Sequence, residues 1–255
     1  MQAHLYDELW NVEREHWWFV ARRQIIGSLV DRYASAAKDE RLDICELGCG
    51  TGGNLAQWAE NHQIVGLDAS EQALEYARQT VDVRVEYGRL PDQIPFPNAS
   101  FDVVLMADVL EHVEEDAASV RAAMELLRVG GIFVATIPAH QWLISPRDVQ
   151  HQHFRRYSKR GLRQVLNVSG TEIELLSYYN SVCFPIAVVA RLWSKLPGLV
   201  NATGDLTVPA APLNAFFTRV FASERHLLGR MPMPPGLSLV SVVRKRENAT
   251  NRMAG

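Results

Sequence analysis

The chain has 255 residues, of which 47% are hydrophobic and 22% charged, and its net charge is −3 at pH 7. This balance is typical of a soluble globular protein of one large or two small domains, and it implies no general attraction for nucleic acid. No apolar stretch reaches the roughly 18 residues of a membrane span, and the N-terminus lacks the apolar core of a signal peptide. The three cysteines fit neither a disulfide framework nor a zinc site. A location in the reducing cytoplasm is therefore predicted.

Helical and extended patterns alternate along the chain. Residues 5–33 are predicted to be helical, with a break near the cluster of Trp10, Trp17, Trp18 and Phe19. Bounded apolar runs predict strands at 42–47, 64–67, 83–87, 101–106, 132–137, 172–178 and 237–243. Helices are predicted between them at 55–61 (opened by Asn54), 71–79 (capped by Ser70), 113–127 (ended by Gly130-Gly131) and 159–168 (capped by Ser158).

This alternation predicts an α/β fold with an open, mostly parallel sheet and right-handed crossovers. Ligands bind such sheets beyond the carboxyl ends of the strands, so Asp68, Asp108 and the segment after residue 137 are expected on one functional rim. Residues 138–157 are predicted to form a long loop. Residues 180–236 are too long for a plain connection and are predicted to be an inserted lid or binding element.

Four glycines, Gly48, Gly50, Gly52 and Gly53, follow the first strand within six positions. Gly48, Gly50 and Gly53 form a G-x-G-x-x-G pattern, which lets a nucleotide-type ligand approach the backbone at a helix N-terminus. Asp68 ends the second strand, 18 residues after Gly50, where a carboxylate accepts hydrogen bonds from ribose hydroxyls. The alternative is that Asp68 caps the next helix, but Ser70 already fills that position, so we favour the ribose role.

Glu46 lies two residues before the first glycine. A carboxylate there repels a pyrophosphate and attracts a cation. Its charge therefore favours S-adenosyl-L-methionine (SAM), which carries a sulfonium and an ammonium group, over NAD. The alternative is a glutamate that points into solvent.

Four motifs between residues 42 and 138 resemble the pattern of class I SAM-dependent methyltransferases: ELGCGTGGN, GLDAS, FPNASFDVVLMADVLEHV and LLRVGGIFVATIP. The resemblance implies a Rossmann-like sheet of seven strands with helices on both faces. Its last strand, 237–243 here, would be antiparallel and return between its neighbours. The resemblance also implies SAM as the cofactor.

The same resemblance assigns the cofactor contacts. Glu46 and the turn of Gly48, Cys49 and Gly50 would surround the methionine part of SAM, and Asp68 would hold the ribose. The adenine would lie near Ala69, Arg89 and Leu90, and Ala107 and Asp108 would border the reacting end. The chain departs from the family at Arg89 and Leu90, where many relatives carry an acidic residue; Asp92 is the available substitute.

Three further segments resemble a bacterial subgroup of these enzymes, of the methyltransferase 11/23 type: EREHWWFVARRQII, HFRRYSKRGLRQVL and NSVCFPIAVVARLW. We predict an N-terminal helical cap over residues 1–40 and a methyltransferase domain over residues 41–255 with an insertion at 180–236. If the cap folds over the site, Arg22 or Arg23 is placed to bind the SAM carboxylate. The alternative is an arginine whose stem packs on core aromatics.

Methyl transfer from a sulfonium is an in-line displacement, which needs alignment of the reactants and exclusion of water. A base is needed only where the acceptor carries a proton. His153, after the fifth strand, is the first candidate for a base or an orienting group. His151, Asp148 and Tyr157 are secondary candidates.

Two residues after the fourth strand receive separate predictions. Asp108 is placed to attract the sulfonium or the substrate, whereas His112 is predicted to bond neighbouring backbone. No metal is predicted, because His151 and His153 lack a clear third ligand.

Basic and apolar flanks leave the acceptor open. The basic run of Arg155, Arg156, Lys159, Arg160 and Arg163 fits a solvated helix face or an anionic substrate. Residues 184–200 are apolar and fit a substrate lid, a dimer face or a peripheral membrane helix, of which the lid is preferred. No nucleic-acid motif is present, so no nucleic-acid partner is predicted.

The sequence thus predicts a cytoplasmic enzyme, with membrane association as an alternative, that transfers a methyl group from SAM to a small-molecule acceptor, anionic and lipid-linked compounds included. Methylation of a protein side chain, an NAD(P)-dependent oxidation and a non-catalytic SAM-binding role are the alternatives. The acceptor atom and the oligomeric state are not predicted.

Overall fold

The computed structural model describes residues 3–34, 40–193 and 207–247. A seven-stranded sheet lies at its centre. The strands are β1 (Asp43–Leu47), β2 (Gln63–Asp68), β3 (Arg84–Tyr87), β4 (Phe101–Ala107), β5 (Leu127–Pro138), β6 (Thr171–Tyr179) and β7 (Ser238–Lys245). The α-helices within the described ranges are α1 (Ala3–Val12), α2 (Trp17–Tyr33), α3 (Gly53–Trp58), α4 (Glu71–Thr80), α5 (Asp116–Leu126), α6 (Pro146–Gln150), α7 (Lys159–Val165), α8 (Phe184–Trp193) and α9 (Ala211–Ala222).

The strand order is β3-β2-β1-β4-β5-β7-β6. β7 pairs antiparallel with β5 and β6, and the pairs from β3 to β5 are all parallel. This confirms the predicted seven-stranded, mostly parallel sheet whose last strand is antiparallel and returns between its neighbours. The chain order reverses between β1 and β4, and such a reversal opens a crevice at the carboxyl ends of the two strands.

Residues of the strands alternate between two apolar layers, one on each face of the sheet. In β4, Val103 and Leu105 belong to one layer, and Val104 and Met106 belong to the other. The first layer is covered by α2, α3, α4 and α9, and the second by α5 and α7. Helices on both faces explain why the central strands read as nearly continuous apolar runs.

Three local predictions were wrong. The helix predicted at 55–61 begins at Gly53, after Gly52 in a left-handed conformation, and Asn54 does not cap it because its side chain bonds Glu46. α5 ends at Leu126, and Gly130-Gly131 lies inside β5, because the backbone turns extended at Leu127. The loop at 138–157 contains a 3₁₀ turn at Gln141–Leu143 and the short helix α6.

The break predicted in the N-terminal helical region is confirmed, and it falls between α1 and α2. The insertion holds the start of α2. Asn214 of α9 accepts a hydrogen bond from the Trp17 amide at 2.8 Å and donates one to the Glu15 carbonyl at 2.7 Å. The Trp17 ring lies 5.6 Å from that of Phe217. Helices α2 and α9 therefore pack against each other on one face of the sheet.

Glu224 anchors the insertion to the end of β6. It is 2% exposed, and its carboxylate accepts hydrogen bonds from the backbone amides of Asn180, Ser181 and Val182 at 2.6, 2.8 and 3.1 Å. Burial raises the pKa of Glu224, and the three amide bonds counteract that shift. Within the part of the chain that is described, no helix is long and apolar enough to cross a membrane.

Replacing Glu224 with alanine removes the acceptor for three backbone amides. We expect the free energy of unfolding to fall by about 1–3 kcal/mol, measured by urea denaturation. Glu86→Ala is the control, because Glu86 pairs with Arg84 on an exposed strand surface, and its loss should stay below about 1 kcal/mol. Equal losses in the two variants would contradict the anchoring role.

Candidate functional site

A cavity of about 1290 Å³ opens at the carboxyl ends of β1, β2 and β4, beneath α1 and the start of α2. Its walls include nearly all the site residues that the sequence predicts: Arg22, Glu46, Gly48, Cys49, Gly50, Asp68, Ala69, Leu90, Ala107, Asp108 and His153. Arg89 and His151 also line it, whereas Asp92 is not among the lining residues. The residues that were predicted to share the functional edge of the sheet therefore line one cavity.

The glycine turn, residues 48–53, is tied to β2 through its backbone. The amides of Gly48 and Cys49 both donate to the Leu67 carbonyl, at 2.7 and 2.9 Å. Gly48 has φ +78°, and a Cβ there would come within 2.5 Å of the Val109 side chain. Gly50 has φ +55° and lines the cavity, and a Cβ there would lie 4.0 Å from the Leu9 side chain, an ordinary van der Waals contact. The turn needs glycine for its backbone conformation and for close approach of a ligand.

Asp68 supports this turn. One carboxylate oxygen accepts from the Gly50 amide at 2.9 Å and the other from the Ser70 amide at 3.0 Å. Ser70 itself caps α4, as predicted, by accepting from the Ala73 amide. A carboxylate has about four lone-pair positions, so two remain for hydroxyl donors in the cavity. Burial raises the pKa of Asp68, and its backbone hydrogen bonds oppose that shift.

Tyr6 of α1 is a lining residue near Asp68 that sequence reasoning missed. Burial, and then the charge of Asp68, raise the pKa of Tyr6 to about 12. Glu13, also missed, is buried and accepts a hydrogen bond from the Thr51 hydroxyl at 2.5 Å. No motif marks either residue, because both come from the cap and reach the cavity only through its packing.

Glu46 does not point into solvent. It is 1% exposed, and one of its carboxylate oxygens accepts from the Asn54 amide group at 2.5 Å. The other oxygen is buried without a hydrogen-bond partner, although the residue lines the cavity. Burial raises the pKa of Glu46 to about 8. An unpartnered buried acceptor of this kind is suited to a cationic donor on a ligand.

Arg22 and Asp108 form an ion pair inside the cavity. The Arg22 guanidinium also lies 4.7 Å from the centre of the Trp18 ring. Asp108 accepts from the Thr136 hydroxyl at 3.2 Å and has φ +59°, a left-handed conformation that is uncommon outside glycine. Helices α1 and α2 thus border the cavity, and α2 brings the Arg22 guanidinium to Asp108; its contact with the SAM carboxylate stays a prediction.

The far end of the cavity holds a histidine cluster, defined as His112, His151 and His153. The rings of His112 and His153 lie 4.5 Å apart, centre to centre, and those of His151 and His153 lie 5.9 Å apart. Burial, and then the nearby His153, lower the pKa of His112 to about 3. His112 therefore lines the cavity as a neutral imidazole.

Asp148 orients His153. Its carboxylate accepts from His153 Nδ1 at 2.9 Å, from Arg156 Nε at 2.7 Å and from the Ser145 hydroxyl at 2.6 Å. Burial opposes ionisation of Asp148, but these bonds outweigh it and hold the pKa of this carboxyl well below its usual range. Since the carboxylate can only accept, Nδ1 of His153 carries a proton, and in the neutral tautomer that this selects the lone pair lies on Nε2.

Glu111 adds a carboxylate beside the histidine cluster. It is 1% exposed, and one of its oxygens is buried without a hydrogen-bond partner. Burial, and then the charge of Asp108, raise the pKa of Glu111 well above its usual range. Sequence reasoning missed Glu111; its place between Asp108 and His112 in ADVLEHV was the available signal.

Tyr157, like Asp92 and Arg23, is a predicted site residue that does not line the cavity. It is buried, and its hydroxyl donates to Asp116 at 2.7 Å. The basic run is also divided. Arg155 pairs with Asp116 and Arg156 with Asp148, while Lys159, Arg160 and Arg163 are exposed on or near α7.

The central part of the sequence matches known methyltransferases. A family model for a methyltransferase domain matches residues 45–135. A probable SAM-dependent methyltransferase of Mycolicibacterium smegmatis is 30% identical over 166 residues, which cover 63% of this chain and 61% of that protein. The ubiquinone biosynthesis O-methyltransferase of Idiomarina loihiensis is 30% identical over 178 residues, covering 65% of this chain and 71% of that enzyme. The chain belongs to the SAM-dependent methyltransferase family.

The fold agrees with this assignment. The structure of a SAM-dependent methyltransferase from Mesorhizobium loti superposes with a TM-score of 0.52 and 20% identity, over 82% of this chain and 94% of that one. The matched segment spans about three fifths of the mycobacterial relative. Family membership implies SAM as the cofactor. The residues present fit it, since the orphaned Glu46 oxygen and the positive-φ glycines form a cradle for a ligand with a cationic end.

The raised pKa of Glu46 predicts pH-dependent cofactor binding. Below about pH 8 the ligand-free carboxyl holds a proton that must leave when a cation binds, so the association constant for SAM should rise by up to about tenfold per pH unit towards pH 8 and then level off. Calorimetric titration across this range measures it.

The matched variant is Glu46→Gln. It should bind SAM about 10- to 150-fold more weakly at pH 8, through loss of a charged hydrogen bond, and its own pH profile should be flat. A wild-type profile that falls with rising pH would contradict this role of Glu46.

Proposed function

We propose that this protein transfers the methyl group of SAM to the oxygen of a small organic acceptor by in-line displacement. The observation that carries the proposal is that one cavity joins the glycine turn, with Glu46 and Asp68, to the histidine cluster. The cofactor end and a proton-handling end therefore face a shared space. The printed name of the Idiomarina relative, an O-methyltransferase, supports oxygen as the acceptor atom.

When bound, SAM supplies a methyl group on a sulfonium, which leaves as a neutral thioether. The residues of this chain have three tasks. Glu46 binds the cationic methionine end, and Asp68 binds the ribose hydroxyls through its two free lone-pair positions. Asp108, held by Arg22, places a negative charge at the reacting end.

The acceptor hydroxyl must lose its proton for the oxygen to attack. His153 is the group proposed to act on it, because Asp148 fixes the tautomer that leaves Nε2 unprotonated. Trp17, Trp18 and Phe19 at the other wall exclude water from the reacting groups. We propose residues 1–40 as the cap that closes the site, on a domain formed by residues 41–255.

The acceptor is proposed to have an apolar body. Helix α8 of the insertion presents exposed apolar side chains, among them Ile186 and Val189, which are 70% and 52% exposed. The same surface supports a peripheral contact with a lipid bilayer, from which a lipid-linked acceptor would enter. Residues 194–200 of the apolar segment lie outside the described residues.

The membrane contact is tested by sedimentation with phosphatidylcholine–phosphatidylglycerol vesicles. We expect part of the protein to co-sediment, and Ile186→Glu to reduce that fraction because it places a charge in the apolar face. Glu8→Gln, at an exposed position on α1, is the control and should bind as the wild type does. Equal co-sedimentation of the Ile186 variant would remove this part of the proposal.

The activity is tested first by binding. Calorimetry with SAM, S-adenosylhomocysteine and NAD in one buffer should give binding of the first two alone. Radiolabelled SAM is then incubated with phenols and catechols, with and without alkyl tails. Label on an ether oxygen supports the proposal. Binding of SAM together with transfer only to nitrogen or to a protein side chain would overturn the acceptor class.

Asp68→Ala should weaken SAM binding by about 1–3 kcal/mol, because the ribose loses a charged acceptor. Asp82→Ala is the control, since Asp82 is exposed and is not a lining residue, and its affinity should equal that of the wild type. Thermal unfolding of both variants checks that the glycine turn still folds. Unchanged SAM affinity in Asp68→Ala would show that the ribose is held elsewhere.

A further inference from the structure

Three metal-ligating side chains meet at the acceptor end of the cavity. Glu111, His112 and His153 each offer one ligand atom, and these atoms lie within 4.8 Å of one another. They come from two separate chain segments, the 3₁₀ turn after β4 and the loop after α6. The sequence analysis found no third ligand near His153, because Glu111 and His112 reach it only in the fold.

The two segments are held together by backbone. The Phe154 amide donates to the Glu111 carbonyl at 2.8 Å, and the His153 amide donates to the Asp148 carbonyl at 2.8 Å. Both histidines also have one side of the ring anchored. Asp148 holds His153 Nδ1 at 2.9 Å, and His112 bonds the backbone of Gln152. Metal-binding histidines show this arrangement, in which the second ring nitrogen donates to a carboxylate or a carbonyl.

A second observation is independent of the cluster. One oxygen of the buried Glu111 carboxyl has no hydrogen-bond partner, although the residue lines the cavity. Buried acceptors are normally satisfied, and an unmatched one calls for a ligand. The acceptor end is rich in lone pairs, and the two arginines whose charges act on Glu111, Arg22 and Arg156, are paired with Asp108 and Asp148.

We propose that Glu111, His112 and His153 bind a divalent transition-metal cation, zinc in the first instance, which takes the acceptor oxygen as its fourth ligand. Two imidazoles and one carboxylate favour zinc over magnesium or calcium, which prefer oxygen ligands alone. Three protein ligands with one open position are the arrangement of catalytic zinc sites. Asp108 lies three residues before Glu111 and borders the same cavity, so the proposed site and the reacting end share one space.

This inference rests on the proposed function and names its acceptor. A hydroxyl that binds the cation becomes more acidic and releases its proton to solvent water. The resulting oxyanion forms the new O–C bond to the methyl carbon, while the C–S bond breaks and its electron pair stays on sulfur. Phenols, catechols and α-hydroxy acids fit this chemistry. His153 is then a ligand and not the base.

The test uses the full chain, treated with a chelator and dialysed. Zinc chloride is titrated against it by calorimetry, and cobalt(II) binding is followed by visible absorption. We expect one high-affinity site in the wild type. Glu111→Gln and His153→Ala should each lose more than about 100-fold in zinc affinity. Asp148→Asn keeps all three ligands but weakens the hold on His153, and it should lose about 10- to 100-fold.

His226→Ala is the matched control, because His226 is exposed and lies outside the cavity lining, and it should bind zinc as the wild type does. SAM affinity, measured in the same samples, should stay within about twofold in all variants, which also shows that they fold. Zinc affinity that persists in both Glu111→Gln and His153→Ala overturns the site, as does the absence of zinc binding to the wild type.

Two results separate this inference from the proposed function. SAM binding and methyl transfer that are equal before and after chelation overturn the metal site and leave His153 as the base. Failure of the protein to bind SAM overturns the proposed function, while the zinc titration is read independently of it. Transfer that falls on chelation and returns with stoichiometric zinc supports methyl transfer to oxygen together with the metal site, with His153 as a ligand and not as the base.

Discussion

The position of β1 between β2 and β4 is the constraint on which the rest of this structure depends. Parallel pairing on both sides brings the segments that follow the three strands to one edge of the sheet. The Leu67 carbonyl accepts from Gly48 and Cys49, so the glycine turn is held by its neighbouring strand and not by its own sequence alone. The Asp68 carboxylate then accepts a hydrogen bond from the Gly50 amide and stabilises the same turn. The cofactor cradle is a consequence of register in the sheet.

Helices α1 and α2 cover this edge of the sheet and form a cavity with it, in which charges interact strongly. Arg22 reaches Asp108 across the site, and Glu13 bonds Thr51 in the glycine turn. Carboxyls removed from water in this way hold their protons more tightly unless a cation or hydrogen-bond donor compensates. Asp148 has such donors and stays ionised, whereas Glu46 and Glu111 each keep one unpartnered oxygen. The two unmatched oxygens mark the two ends of the cavity where we place cations.

The insertion contributes through support as well as cover. Asn214 fixes the first turn of α2, and Glu224 fixes the backbone where β6 ends. Both contacts join residues that are distant in sequence. The first couples α2 to the insertion, and the second couples the insertion to the sheet. A change in the insertion is therefore expected to reach the cofactor end through α2, which carries Arg22 and the lining tryptophans.

Local pattern was sufficient for the sheet and for the cofactor end. Bounded apolar runs located all seven strands. The glycine pattern after the first strand, with a carboxylate on each side of it, indicated the ligand and its charge. Both features depend on residues that are close in sequence. Local pattern was wrong about Asn54 and about the end of α5. The Asn54 side chain bonds Glu46 and does not cap α3, and β5 begins at Leu127, before the two glycines that were expected to end the helix. The role of Tyr157 could not be read either, since its hydroxyl found Asp116 on another element.

Tertiary structure alone decided the rest of the site. Tyr6 and Glu13 reach the cavity through the packing of α1, and Glu111 and His112 meet His153 through a backbone contact between two loops. No spacing in the chain predicts these meetings, because each joins segments whose approach is set by the sheet. The sequence by itself determined the strands, the glycine turn and the charge beside it. The fold decided which buried groups face one another, because burial and distance, which set their pKa values and partners, exist only after the chain has packed.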